Sequence, residues 1–494
     1  MLRQIKRLGA ETAVYGIGTV AGRFLNFLLV PFYTNVLVPA EYGVVAYLYS
    51  LIAFGNVLYW YGMEAAYFRF ATSGEKGKEA ETLSTPFIAM IGTSFLFSGM
   101  LYAARGPVAG WIGISGEHSV LVGYTAGILF LDAVAVLPFA FLRLAHMAKM
   151  FVWVKFLNVL ANVLLNIVLL LKYAMGVEGI FISGIVASGL TLLMLVPVIA
   201  GEFRPVFDRG LMGSMLRFSL PTVPAGLALM ALQVIDRPIL KALTDDATVG
   251  VYQANYRLGI FMMIAVSIYD YAWRPFFFSH ASDRDAKKIF SRVMTYVVLL
   301  LSALFMAFVF FVPDIARFEF AGRHFIHPRY WEGLGIVPVI MAGYFFLGVS
   351  TNLSAGIYIE KKTKYLPAIN IAGAAINIGL NYAMIPRFGI AGAAWATFLA
   401  YFAMAGLLYV AARRVYPIDY EWDRIWKIAA VAGALLIIHL FLPPDASLLP
   451  VAIKFLLLMA FPVSLYFTGV FGADEIASIK RLIGAARGPA GPGP

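Results

Sequence analysis

The sequence predicts an all-α polytopic membrane protein of about 14 transmembrane helices: two six-helix lobes related by an internal repeat, plus two C-terminal helices. Three observations predict it. First, 61% of the 494 residues are hydrophobic and 13% are charged, whereas a soluble domain carries about 25% charge. The mean hydropathy is +0.82. Second, when the chain is divided into spans of about 20 residues, its connections differ in charge. Of the 38 lysines and arginines, 25 fall on the side of the amino terminus, seven on the other side and six within or at the ends of spans. That asymmetry places both termini in the cytoplasm and calls for an even number of spans. Third, residues recur at fixed offsets. Pro31 and Gly43-Val44 return as Pro238 and Gly250-Val251, and Asn162 and Asn166 return as Asn377 and Asn381, with Lys155 opposite Asn370. Gly176 to Gly179 returns as Gly389 to Gly392. A parallel repeat of this kind is the signature of a two-lobed transporter.

These bounds exclude several classes. Spans and short connections consume the chain, leaving no room for a large soluble domain. The net charge of +11 is explained by its sidedness and implies no nucleic-acid partner. The absence of cysteine excludes disulfides and thiolate metal sites. No cleavable signal is expected, because Arg3, Lys6 and Arg7 precede a span that contains Arg23 and Asn26.

The first lobe, residues 1–205, is expected to hold spans near 11–33, 42–61, 83–103, 119–142, 151–171 and 177–199. Span one carries Thr12, Tyr15, Thr19, Arg23 and Asn26 at helical spacing. The threonines fit helix packing, but Arg23, about halfway across, is expected to face an aqueous lumen, because an ionisable group in hydrocarbon is costly unless it meets water or a partner. Asp132, near the middle of span four, is either an ion or proton site or the partner of an arginine. Span five aligns Lys155, Asn158, Asn162 and Asn166 on one face. Asparagine pairing between helices explains that face as well as a polar lumen does, and Lys155 is close enough to the span end to snorkel.

The second lobe, residues 206–415, is expected to hold spans near 214–240, 250–272, 293–312, 334–357, 365–383 and 389–412. Its first two spans carry the densest charge in the chain. Pro221 and Pro224 should bend span seven. Below them Gln233, Asp236 and Arg237 share a face, as do Gln253 and Arg257 on span eight. Arg237 and Arg257 are therefore expected to be lumen cations with Arg23 and Lys155. Asp236 is expected to serve ion coupling or charge pairing, with Arg257 as its candidate partner. Asn26, Gln233, Gln253, Asn162 and Asn377 are expected to line the lumen or pack between helices. Asp314, Glu319, His324 and His327 lie in the loop 313–333, read as an ordinary hydrated connection. Lys454 and Asp270 are read as interfacial. Two further spans, 428–442 and 449–470, form an appendage over 416–472, and residues 473–494, ending GPAGPGP, form a cytoplasmic tail. No nucleotide loop, HExxH motif or other catalytic signature is present, so no catalytic residue, metal or cofactor is expected.

Several segments carry a family resemblance: Glu41-Tyr42-Gly43, Phe218-x-x-Pro221, Asp236-Arg237-x-Ile239-Leu240, Gly250-x-Tyr252, and PRFGIAGAAWAT from Pro386 to Thr397. In these the chain resembles polysaccharide flippases of the multidrug/oligosaccharidyl-lipid/polysaccharide exporter superfamily, those that export O-antigen and exopolysaccharide repeat units. The resemblance implies export of a polyprenyl-diphosphate-linked oligosaccharide across a bacterial inner membrane by alternating access, for cell-surface polysaccharide or lipopolysaccharide biosynthesis. It implies membrane lipid as surroundings, and a polymerase and glycosyltransferases as partners. A peptidoglycan-precursor flippase, a multidrug or cation antiporter and, from another class, a membrane polysaccharide polymerase are the alternatives.

Overall fold

A computed structural model of the protein describes residues 16, 20, 22–73, 79–114, 118–320, 322–442, 448–472, 475 and 476. Thr12, Tyr15, Thr19 and the tail from Gly484 lie outside them. In hydrocarbon every backbone N–H and C=O must bond within its own segment, and long apolar runs here become helices. They are α1 (22–36), α2 (Pro39–Trp60), α3 (Met63–Ser73), α4 (Glu79–Ala103), α5 (Arg105–Trp111), α6 (Ser119–Leu144), α7 (Ala148–Leu171) and α8 (Gly176–Glu202). A second series follows: α9 (Arg209–Ser219), α10 (Val223–Val234), α11 (Asp236–Leu243), α12 (Asp246–Leu258), α13 (Ile260–His280), α14 (Ala286–Arg317), α15 (Val337–Ile359) and α16 (Tyr365–Val415). The chain continues with α17 (Trp422–Leu440) and α18 (Leu448–Phe467).

Among the described residues ten helices are long and apolar enough to cross a membrane. The remaining spans read from the sequence fall on helices too. Span one is α1. Span eight is broken between α12 and α13, span thirteen is α17, and spans eleven and twelve are continuous in α16 except at Gly389. There φ is 54°, a left-handed value that side chains with a Cβ resist. Span seven is segmented where the prolines stand: Pro221 opens a single 3₁₀ turn, Leu220–Thr222, and Pro224 opens α10. Large apolar side chains such as Phe95, Leu193 and Leu456 are well exposed on the helix exteriors, as a lipid-facing surface requires.

In the amino-terminal half α6 is central, packing on α2, α4, α5, α7 and α8. In the other half α15 and α16 pack on each other, with α10, α11, α13 and α14 around them. The halves meet where α2 crosses α12. A Cβ on Gly43 would overlap the Asp246 carbonyl, and one on Gly250 would overlap the Pro39 carbonyl. These are equivalent positions of the repeat, since 39 and 43 correspond to 246 and 250, so the crossing is locally symmetric. It lies at the cation-poor end of the bundle.

The loop 313–333 is not the hydrated connection expected. Glu319–Phe320 pairs with Arg323–His324 in a short hairpin, and Pro328–Ile336 forms a 3₁₀ segment. Ile326 and Tyr330 are fully buried. Tyr330 donates its hydroxyl to the Leu37 carbonyl at 3.0 Å, while its own carbonyl accepts from Asn255 Nδ2 at 2.8 Å. Asn35 Nδ2 donates to the His324 carbonyl at 2.9 Å. The loop thus seals the cation-poor end across both halves.

Lys454 is not interfacial either. It is 1% exposed and donates to both oxygens of Asp314, at 2.9 and 2.7 Å, fastening α18 to α14. Asp314 therefore belongs to this buried pair and not to the loop. Asp270 pairs with Arg274 at 2.9 Å on the surface of α13. At the cation-rich end Glu475 bonds Arg424 and Tyr296, and Glu421 bonds Arg424 and Thr295. Burial pushes the Glu475 carboxyl up, but the hydrogen bonds from Arg424, Tyr296 and the Gly472 N–H outweigh it and hold the group down to about 2.

Candidate functional site

A cavity of about 610 Å³ lies in the amino-terminal half, within the size range of ligand sites. Four of its walls come from facing helices that present residues at three-, four- or seven-residue spacing. α7 supplies Phe151, Lys155, Asn158 and Asn162; α6 supplies Asp132, Phe139 and Arg143; α8 supplies Ser188 and Thr191; α2 supplies Tyr42, Tyr49, Asn56 and Trp60. Asn26 and Tyr33 of α1 and Glu64 of α3 complete this side. From the other half α12 contributes Gln253 and Arg257. The seal formed by the α2–α12 crossing and Tyr330 stands at one end of this space, and Glu64 and Arg143 stand toward the other.

Three cations and two carboxylates line it. Glu64 and Arg143 form an ion pair. Asp132 Oδ1 accepts from Ser188 Oγ at 2.8 Å. Lys155 holds its ammonium 4.2 Å from the centre of the Phe139 ring, a cation–π contact. Arg257 differs from the others. It has no hydrogen-bond or ion-pair partner among the described residues, and it lies near enough to Tyr33 and Tyr42 to act electrostatically on their hydroxyls. A guanidinium in a cavity with its donors unspent is equipped to bind an anion through paired N–H bonds.

The residues singled out from sequence divide. Arg257, Lys155, Asp132, Asn26, Gln253 and Asn162 are brought together in the cavity wall. Arg237, Asp236, Gln233 and Asn377 are not among its lining residues. Arg237 is 4% exposed and Asp236 3%. The Arg237 guanidinium donates to Asp236 Oδ1 at 2.6 Å, to the Gln233 carbonyl at 2.7 Å and to Gln253 Oε1 at 3.0 Å, and sits 4.0 Å over the Tyr256 ring. Tyr252 donates to the other Asp236 oxygen. Asp236 thus pairs with its neighbour and not with Arg257, the partner expected. Arg23 lies outside the lining residues as well; it donates to Ser267 Oγ at 2.5 Å, tying α1 to α13.

The asparagine repeat holds to the atom. Asn166 Nδ2 donates to Asn162 O and Oδ1 at 2.8 and 3.1 Å, and Asn381 Nδ2 donates to Asn377 O and Oδ1 at the same distances. Tyr33 adds a bond to Asn166 Oδ1 at 2.9 Å, whereas Asn381 Oδ1 has no hydrogen-bond partner among the described residues. At the repeat position equivalent to Tyr33 stands Leu240.

Sequence reasoning missed Asn56, Trp60, Glu64, Arg143 and Ser188. A signal was available for two of them: Asn56 and Trp60 are spaced four apart and so share one face at the end of span two. Arg143 was counted only among the loop cations.

The described residues thus form a helical membrane bundle of two packed halves, sealed at one end over a polar and charged cavity. The polysaccharide biosynthesis protein family profile matches residues 8–281, more than half of the chain, and the chain belongs to that family. Its fold is similar to that of the lipid II flippase MurJ in an inward closed conformation, with a TM-score of 0.73 at 15% identity over 93% of this chain and 100% of that one. It is also similar to an inward-facing multidrug resistance MATE family transporter of the MOP superfamily, with a TM-score of 0.63 at 14% identity over 79% and 94%. No curated protein matches the chain in sequence.

Proposed function

We propose that this protein is a flippase that carries a polyprenyl-diphosphate-linked oligosaccharide from the cytoplasmic to the outer leaflet of a bacterial inner membrane, for cell-surface polysaccharide biosynthesis. The lobes 1–205 and 206–415 would rock about the α2–α12 crossing, with 416–472 an appended pair of helices, 473–494 a tail, and both termini cytoplasmic. The observation that carries this reading is Arg257: a cation with no hydrogen-bond or ion-pair partner among the described residues, in a polar cavity, in a member of a polysaccharide biosynthesis family. Burying a CH₂ is worth about 0.8 kcal/mol, so the polyprenyl tail stays in the bilayer and only the head needs the cavity. Lys155 supplies a second positive point, and Asp132 is the group placed for ion coupling. Glycosyltransferases upstream and a polymerase downstream would supply and consume such a lipid.

The test is flipping in proteoliposomes, read as the fraction of a lipid-linked oligosaccharide that becomes accessible to a sugar-oxidising reagent added outside. Wild-type protein should accelerate exposure over protein-free vesicles. Arg257→Ala should slow it at least about tenfold, as loss of a charge-assisted bidentate contact does, and Arg257→Lys should retain part of the rate. No acceleration by the wild-type protein would overturn the reading.

A further inference from the structure

The end of the cavity away from Arg257 has a different chemistry. Asn56 and Trp60 stand one turn apart on α2 and both line the space. Asn56 Oδ1 and Trp60 Nε1 are shielded from solvent, and neither has a hydrogen-bond partner among the described residues. One is an acceptor and the other a donor, so together they offer both roles to a ligand hydroxyl. Past the left-handed break at Tyr61 and Gly62, Glu64 of α3 and Arg143 form their ion pair at the same wall, with Phe151 and Phe139 also lining the cavity.

This set is poorly suited to a phosphate, because Glu64 is an anion and Arg143 is already engaged with it. It is equally unsuited to a cationic drug, since the carboxylate is neutralised. What it fits is a sugar. A pyranose presents C–H faces that lie on aromatic rings and hydroxyls that both give and take hydrogen bonds, and tryptophan serves both through its ring and its N–H. The geometry also separates the two ends. α2 and α12 run side by side from their glycine crossing, Gly43 to Gly250. Trp60 is 17 residues beyond Gly43 and Arg257 seven beyond Gly250, so they differ in depth by about 15 Å at 1.5 Å per residue.

We infer that Asn56 and Trp60, with the Glu64–Arg143 pair at the rim, form a saccharide subsite. The lipid-linked head is bound with its diphosphate at Arg257 and its sugar extending toward the cation-rich end. This rests on the reading under Proposed function and adds to it a recognition site for sugar that is separate from the site for phosphate.

The experiment compares two lipids binding to the full chain in nanodiscs: a polyprenyl diphosphate without sugar, and the same lipid carrying one N-acetylglucosamine. Wild-type protein should bind the glycosylated lipid more tightly. Trp60→Phe and Asn56→Leu, which keep most of the packing, should remove that preference, and Trp60→Ala should weaken the glycosylated lipid about tenfold. All three should leave the sugar-free lipid within about twofold. Arg257→Ala should weaken both lipids alike. Binding of both lipids by the wild-type protein without preference, or equal losses for both in Trp60→Phe and Asn56→Leu, would overturn the sugar subsite and leave the phosphate reading standing. Failure of wild-type protein to bind either lipid would overturn both.

Discussion

Asp236 and Arg237 are adjacent to each other and about two turns of helix from the outer loop, yet their charges do not reach the cavity that Arg257 enters. The difference is in their partners. Arg237 is covered by Tyr252, Tyr256 and Gln253 and held by Asp236, so its donors are spent inside the protein. Truncating one member of a buried pair strands the other, at about 3–5 kcal/mol in soluble proteins. Arg237→Ala is therefore expected to reduce the amount of folded protein sharply, whereas the double replacement Asp236→Asn with Arg237→Gln should recover much of it, measured by thermal unfolding in detergent. Thiol labelling gives a companion test in this cysteine-free chain. A cysteine at 257 should react with a membrane-impermeant reagent and one at 237 should be protected; equal reactivity would contradict the buried pair.

Two helices, α2 and α12, make the tightest contact between the halves, and they can approach so closely because each has a glycine at the crossing. Any side chain at Gly43 or Gly250 would push the helices apart. Gly250→Ala is expected to loosen the seal at the cation-poor end and to favour the opposite conformation, and Tyr330→Phe should act in the same direction by removing the hydroxyl bond to Leu37. The readout is the accessibility of a cysteine at Asn26 from that side, which should rise in both variants; unchanged accessibility would mean that the crossing is not a gate. The repeat builds this seam symmetrically but does not duplicate the cavity. Where the first half has Trp60, the second has Ser267, which binds Arg23.

For the molecule as a whole the question is what drives transport. Moving one elementary charge through 100 mV is worth about 2.3 kcal/mol. A diphosphate with roughly two negative charges leaving a negative interior would gain about 4–5 kcal/mol if it crossed the whole field uncompensated. Flipping in vesicles is expected to respond to an imposed potential with no pH gradient, and Asp132→Asn should weaken any added dependence on a proton or sodium gradient. Transport indifferent to potential, yet abolished when the ion gradient is removed, would confine the cations to recognition and exclude electrogenic export of the anion.

The all-α class, the spans, the sidedness of the cations and the repeat were legible in the sequence because each follows from local composition or from spacing along one helix. Lipid forces an apolar run of sufficient length to be a helix whatever its neighbours are. Helical periodicity likewise aligned Lys155, Asn158 and Asn162 correctly on one face of α7. Periodicity cannot say what stands opposite a face, and that is where only tertiary structure decided. Arg237 and Arg257 look alike in the sequence; the tyrosines around one and the cavity beside the other separate them. Lys454, near a span end, reads as an interfacial lysine until α14 brings Asp314 against it. Asn56 and Trp60 sit in an ordinary apolar span, and they line a cavity only because α6, α7 and α8 leave a space beside them.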